Sequence, residues 1–257
     1  MANEMQNWYE AAKKRSSIRI FSGKVPKDDF FELKDFADGL RNDKARIEFR
    51  AKNDVLSGFS IFGGVDGTNC FAAVIVRDKC RYMGGYIGEA FLLECISRGY
   101  GTCWLGTGFK RSALMKYIDL DADEKVVAVI AVGKPDDIHA AVGKKSIDRL
   151  TGLERQDYLA LPRWQQDAAN TARLAPSARN RQPWELDIQN SKIRIISNAT
   201  NFGFGDVDLG IAMLHIELGA AKHGVYGDWE FENGNGEATF IPFSSARVLN
   251  DKESAAE

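Results

Sequence analysis

Apolar runs of membrane length are missing from this chain of 257 residues. A bilayer-crossing helix needs roughly 18 or more consecutive apolar residues, and the most apolar stretch, Val126 to Val132, is only strand-sized. The opening residues, MANEMQNWYEAAKKR, are polar and hold no apolar signal core, so a cytoplasmic protein without a targeting segment is expected. Charge of one sign is not in excess either. Lys and Arg number 34 against 36 Asp and Glu, a net charge of −2, which gives no reason to expect nucleic acid or an acidic membrane as partner. Cysteine is scarce: Cys70, Cys80, Cys95 and Cys103 form no Cys-x-x-Cys pair, so neither a zinc site nor a thioredoxin-type site is suggested, and reduced, mostly buried thiols are expected. The three histidines, His139, His215 and His223, lack metal-ligand spacing, and His215 reads as a satisfied buried histidine on a core helix. No Gly-x-Ser-x-Gly elbow supports a hydrolase. The glycines of LSGFSIFGGVDGTN (56–69) and of GYGTCWLGTG do not follow a strand at dinucleotide-binding spacing.

What the chain does have is two dense polar stretches. The first, RSSIRIF, runs from Arg15 to Phe21 and sets two arginines four residues apart around two hydroxyls. Arg offers planar bidentate contacts and Ser a hydroxyl and a backbone N–H, so the group can converge on one phosphate. A solvated helix end is the plainer alternative. The second, APSARNRQPW, runs from Ala175 to Trp184. Pro176 and Pro183 keep it from being a helix or a strand, and Ser177, Asn180 and Gln182 suit local turn bonds. With Arg179, Arg181 and the apolar plane of Trp184, such a loop can wrap an anionic, planar ligand. A surface connection is the alternative, and Trp184 reads as core. A third basic segment, GKKSIDRL, carries Lys144, Lys145 and Arg149 and reads equally well as a solvated turn.

The elements between alternate. Residues 1–14 read as a helix with Trp8, Ala11 and Ala12 on one side; Pro26 opens another with Phe30, Leu33, Ala37 and Leu40 at helical spacing. ARIEF has strand alternation, and FAAVIV (71–76) and VVAVIAVGKP (126–135) read as buried strands. GGYIGEAFLLECISRGYG and DLGIAMLHIELGAAKHG are helices apolar on most sides, ended by glycine. A short helix is expected over SALMKYIDL, another over 161–174, and a glycine-rich loop over 202–208. WELDI and KIRIIS pair around QNS, two terminal strands flank ENGNGE, and the tail from Asn250 to Glu257 is expected to fray.

Both polar stretches resemble motifs of the nitroreductase superfamily. RSSIR is similar to its amino-terminal Arg-x-Ser-x-Arg signature, with Arg15, Ser17 and Arg19 in the matching positions and Ser16 in the variable slot. APSARNRQPW resembles its Pro-Ser-x-x-Asn-x-Gln-Pro-Trp loop. The resemblance implies an α+β, nitroreductase-like fold with a central, mostly antiparallel sheet flanked by helices. It implies FMN as cofactor, NADH or NADPH as electron donor, and a small-molecule acceptor such as a nitro compound or a quinone. On that likeness Arg15, Ser16, Ser17 and Arg19 hold the ribityl phosphate, joined by Lys144. Pro176, Ser177, Ala178, Asn180 and Gln182 lie along the flavin. Leu105, Gly106 and Thr107 pass beside it and can offer a backbone N–H to N5. No catalytic side chain is required, because the flavin carries the chemistry. A flavin-binding or regulatory protein without efficient turnover is the alternative.

The chain also resembles itself. GGYIGEAFLLECISRGYGTCW, from Gly84, lies against LGIAMLHIELGAAKHGVYGDW, from Leu209, at an offset of 125 residues, with Gly85, Phe91, Leu93, Gly99 and Trp104 opposite Gly210, Ile216, Leu218, Gly224 and Trp229. Two unrelated apolar helices are the alternative. If the repeat is real, residues 1–257 form one domain of two halves, about 15–133 and 165–243. In typical members of the superfamily the two motifs lie close together and the flavin sits between two chains. Here Arg19 and Ser177 stand more than 150 residues apart, so a fused pseudo-dimer is expected, with one complete site per chain. Such a chain can be a monomer or a homodimer.

Overall fold

Two helices that are apolar all round meet at the centre of the molecule. The computed structural model describes residues 2–56, 64–77, 79–136, 143–189, 191–197, 200–231 and 236–243. In chain order these form α1 (Ala2–Lys14), β1 (Phe21–Gly23), α2 (Lys27–Gly39), β2 (Ala45–Ala51), β3 (Cys70–Arg77), α3 (Arg81–Ser97), β4 (Gly101–Leu105), α4 (Arg111–Leu114), β5 (Glu124–Pro135), α5 (Ile147–Thr151), α6 (Arg155–Ala160), α7 (Arg163–Leu174), β6 (Trp184–Gln189), β7 (Lys192–Ser197), α8 (Gly205–Ala221), β8 (Gly227–Glu230) and β9 (Glu237–Pro242).

The central pair is α3 and α8. Each is buried along most of its length, including Phe91, Leu92 and Leu93 on one and Leu209, Leu214 and Ile216 on the other. α3 lies on a sheet ordered β1-β5-β3-β2, with β4 also paired to β5; α8 packs on a second sheet, β6-β7-β9-β8. Every named strand pair is antiparallel. The fold is therefore the expected α+β arrangement, with the sheet divided in two, one part for each half of the chain. The continuous apolar runs of β3 and β5 are explained by their place inside the first sheet, where both faces are covered.

Close approach of α3 and α8 depends on glycine. A Cβ built on Gly85 would collide with the carbonyl oxygen of Val207, and one on Gly210 with that of Tyr82. Polar groups at this interface are paired. Glu89 of α3 faces Nε2 of His215 at 2.9 Å, and His215 Nδ1 faces the Thr171 carbonyl at 3.0 Å. A carbonyl can only accept, so Nδ1 carries a hydrogen. His215 is thus the satisfied core histidine expected. Trp184, wholly buried, is core as well.

Differences from the sequence reading are local. SALMKYIDL holds only the single helical turn of α4. The helices α5 and α6 arise where no periodic pattern is long enough to reveal them. α8 begins at Gly205 rather than after the expected loop, because Asp206 and Asp208 suit the positive end of a helix and Phe204 supplies its N-terminal boundary. The glycine-rich residues 57–63, His139, the ENGNGE turn residues 232–235, Asn190 and the tail 250–257 fall outside the described residues.

Candidate functional site

The segment after α1 is not a helix end. It runs extended beside the open edge of β4, where Ile18 N donates to Thr102 O at 2.9 Å and Ser17 bridges Thr102. Ile18 turns inward and is buried. Arg15, Ser16, Ser17 and Arg19 are thereby arrayed next to the end of β4, where Leu105, Gly106 and Thr107 leave the sheet.

From the other half of the chain comes the loop after α7. Its shape is enforced by three non-glycine residues with positive φ, Arg179 (53°), Asn180 (54°) and Gln182 (47°). Such conformations are uncommon and need local support. The support is visible. Ser177 Oγ accepts from Gln182 N at 2.8 Å, and the Ala178 N–H donates to Asp208 at 3.0 Å. Lys144 Nζ donates to Ala175 O and to Asn180 Oδ1, both at 2.8 Å, while Asn180 Nδ2 donates to Gly143 O. Gln182 Oε1 accepts from Lys145 N at 2.7 Å and its Nε2 donates to Arg173 O at 2.8 Å.

Between these segments lies a cavity of about 710 Å³. Arg15, Ser16, Ser17, Arg19, Leu105, Gly106, Thr107, Lys144, Pro176, Ser177, Ala178 and Asn180 all line it, so motifs over 150 residues apart in sequence meet around one space. Gln182 is the correction: its side chain is 1% exposed and spent on holding the loop, not facing the cavity. Asn180 lines the cavity, but its amide is also engaged within the protein. Trp104, Ala128, Phe202, Phe204, Val207, Asp208 and Ile211 also line it and were not expected from the sequence. Val207, Asp208 and Ile211 come from the first turns of α8 and Phe204 from the residue that bounds it, an early start that the glycines concealed. Phe204 closes over Gly106, where any side chain would meet its ring.

The electrostatics favour an anion. Arg15 Nε is buried with no hydrogen-bond partner among the described residues, and a buried unpaired donor is costly. Burial works against the Arg15 charge, and the Glu89 carboxylate offsets part of that effect. Lys144 is pushed down to about 8, first by burial and then by the cation of Arg15. A cation depressed by burial and by a neighbouring cation is stabilised by an anion bound beside it. Asp208 is raised to about 6 by burial, against the hydrogen bonds it accepts from Asn201 and the Ala178 N–H. Trp104 is fixed by donating to Glu89 at 2.8 Å, which ties the cavity wall to the Glu89–His215 pair.

Residues 7–220 match the family described as "Putative TM nitroreductase". Among solved structures, a putative nitroreductase from Thermotoga maritima superposes with a TM-score of 0.67 at 22% identity, covering 91% of this chain and 93% of that one. A putative NAD(P)H:FMN oxidoreductase from Staphylococcus epidermidis gives a TM-score of 0.45 at 15% identity, over 56% of this chain and 93% of that one. A putative nitroreductase in complex with FMN from Exiguobacterium sibiricum gives 0.44 at 14% identity, over 57% and 97%. No curated protein matches the sequence.

Proposed function

The chain belongs to the nitroreductase family whose match spans residues 7–220, and on that premise we propose that it is an FMN-dependent oxidoreductase. FMN, when bound, supplies a ring that accepts hydride from NADH or NADPH and passes two electrons to a small acceptor such as a nitro compound or quinone. The protein's part is to bind, orient and exclude water. Arg15 and Arg19 with the hydroxyls of Ser16 and Ser17 would hold the phosphate, and Lys144, from the segment between the two halves, would add a further cation. Leu105, Gly106 and Thr107 on one side and Pro176, Ser177 and Ala178 on the other border the flavin. The apolar groups of Trp104, Phe204 and Ile211 keep water from it. The observation that carries this reading is one cavity lined by both motifs, with Arg15, Arg19 and Lys144 along it.

A second observation supports one such site per chain. At the 125-residue offset, Gly106 and Val207 of the cavity wall correspond to Phe231 and Tyr82. Those two rings contact each other, tilted by 43°, with centroids 4.6 Å apart. The positions equivalent to Gly106 and Val207 thus carry two aromatic side chains in contact. This supports reading the chain as a fused pseudo-dimer that keeps a single site.

The test is optical. Flavin-loaded protein is mixed with NADH or NADPH in a stopped-flow instrument, and the flavin band is followed. Bleaching within seconds supports the oxidoreductase. Bound flavin that stays oxidised with both donors contradicts it and favours a flavin-binding protein.

A further inference from the structure

A smaller cavity, of about 580 Å³, adjoins the inner one, and the rim between them is built on Phe202, which lines both. Phe202 sits in a short turn closed by Gly203 N donating to Thr200 O at 2.8 Å and Phe204 N donating to Asn201 O at 3.1 Å. The turn holds Phe202 at a positive φ of 59° and leaves the residue 55% exposed. So bulky a residue in so sparsely populated a conformation costs energy, and strain of this kind gathers at ligand sites.

Two guanidinium groups lie against this ring, that of Arg179 at 4.4 Å from its centroid and that of Arg181 at 5.1 Å. Arg179 lines the inner cavity and Arg181 the outer one, and both residues are exposed. Among the described residues neither guanidinium has an ion-pair or hydrogen-bond partner. The face of the ring attracts each cation, but it carries no net charge to set against the two. The surrounding walls supply little more. FMN brings one phosphate, for which Arg15, Arg19 and Lys144 are at hand, and Lys145 is held by Gln182 O at 2.8 Å. Arg179 and Arg181 are left over. Among the described lining residues only Asp208 inside and Glu185 outside carry the opposite charge, although the chain as a whole has a net charge of −2. A local excess of cations in such a chain favours an anion at that place.

We propose that Arg179, Phe202 and Arg181 form an anion subsite that selects, as electron acceptor, a planar aromatic compound bearing a carboxylate or sulfonate. The acid meets the two guanidinium groups, whose planar forks suit a carboxylate. Its ring extends along Phe202 toward the inner cavity. An inorganic anion would use the arginines and leave the ring idle, and a neutral aromatic would use the ring alone. A ligand with both uses the whole rim. The acid is a handle only and takes no part in the reduction: a nitro group on the same ring takes up two electrons and two protons and becomes a nitroso group and water. That this ligand is the electron acceptor rests on the flavin reading, whereas the subsite stands on its own three residues.

Calorimetric titration with para-nitrobenzoate and with its uncharged counterpart para-nitrobenzamide tests the proposal, using protein saturated with FMN and protein without it. In the FMN-saturated protein the benzoate binds about tenfold more tightly than the benzamide, the size expected for a charge-assisted contact. Arg179→Gln and Arg181→Gln each reduce that preference, and the double variant abolishes it. Both residues are exposed, so the variants keep the fold. Phe202→Leu weakens the two ligands alike, and added salt weakens the benzoate alone. Without FMN, benzoate affinity still falls in the double variant. Equal affinity for the two ligands, or a preference that survives in the double variant, overturns the proposal. FMN affinity is read in a separate titration, so failure of the flavin reading is distinguishable from failure of this one.

Discussion

Gly85 and Gly210 face each other across α3 and α8, and their contact is reciprocal. Gly85 lies against Val207 O and Ile211 N, and Gly210 lies against Tyr82 O and Tyr86 N. A shift of 125 residues converts one set of neighbours into the other. That relationship supports two halves packed about an internal twofold, and it explains why the two motifs can meet although the chain separates them. Because the obstructing atoms are backbone, the helices would have to move apart to admit a methyl group. Gly85→Ala and Gly210→Ala are each expected to cost about 3 kcal/mol, at the upper end for overpacking. Urea unfolding checks this. A loss below about 1 kcal/mol for either variant contradicts so close an approach.

Lys144 supplies a binding signature. Its folded pKa of about 8 lies below the ordinary lysine value, so the charged form is disfavoured and the associated stability penalty fades as pH rises from about 8. A phosphate placed beside it raises that pKa again. FMN binding near pH 8.5 is therefore accompanied by proton uptake, which is seen as a binding enthalpy that depends on the ionisation enthalpy of the buffer. Lys144→Met abolishes the uptake. Proton release, or no exchange in the native protein, contradicts this role.

Glu217 gives a stability signature independent of any ligand. Burial raises its carboxyl to about 7, against hydrogen bonds accepted from Tyr86 and Trp229. An acid whose folded pKa is raised contributes most stability below its unfolded value of about 4.5 and loses it as pH climbs to about 7. Glu217→Gln can keep both bonds if the Tyr86 hydroxyl reverses its role. The variant is expected to be more stable than the parent by roughly 2 kcal/mol at pH 8 and no more stable at pH 4.5. Thermal unfolding across that range decides it; a variant less stable at pH 8 sinks the assignment.

Much of the site could be read from residue chemistry alone. Arg15, Ser17 and Arg19, and Pro176 to Asn180, stood out by their concentration of cations, hydroxyls and prolines, and their likeness to family motifs separated them from a solvated helix end and a plain surface loop. The role of Gln182 was not legible, since the sequence does not tell whether an amide faces a cavity or a neighbouring backbone. Val207 and Asp208 were hidden for another reason. Gly203 and Gly205 look like loop residues, and only the packing of α8 on α3 shows that helix begins at Gly205. The division into two sheets is equally a tertiary fact, because strand patterns do not record which strands pair.

The central claim is that one cavity per chain holds FMN with its phosphate at Arg15. Titration of flavin-free protein with FMN, followed by the change in flavin absorption, tests it most directly. The account predicts saturation at one FMN per chain and an affinity about 10- to 100-fold weaker in Arg15→Ala, the range for a lost charge-assisted hydrogen bond. No binding, saturation at two FMN per chain, or an unchanged affinity in Arg15→Ala would contradict it.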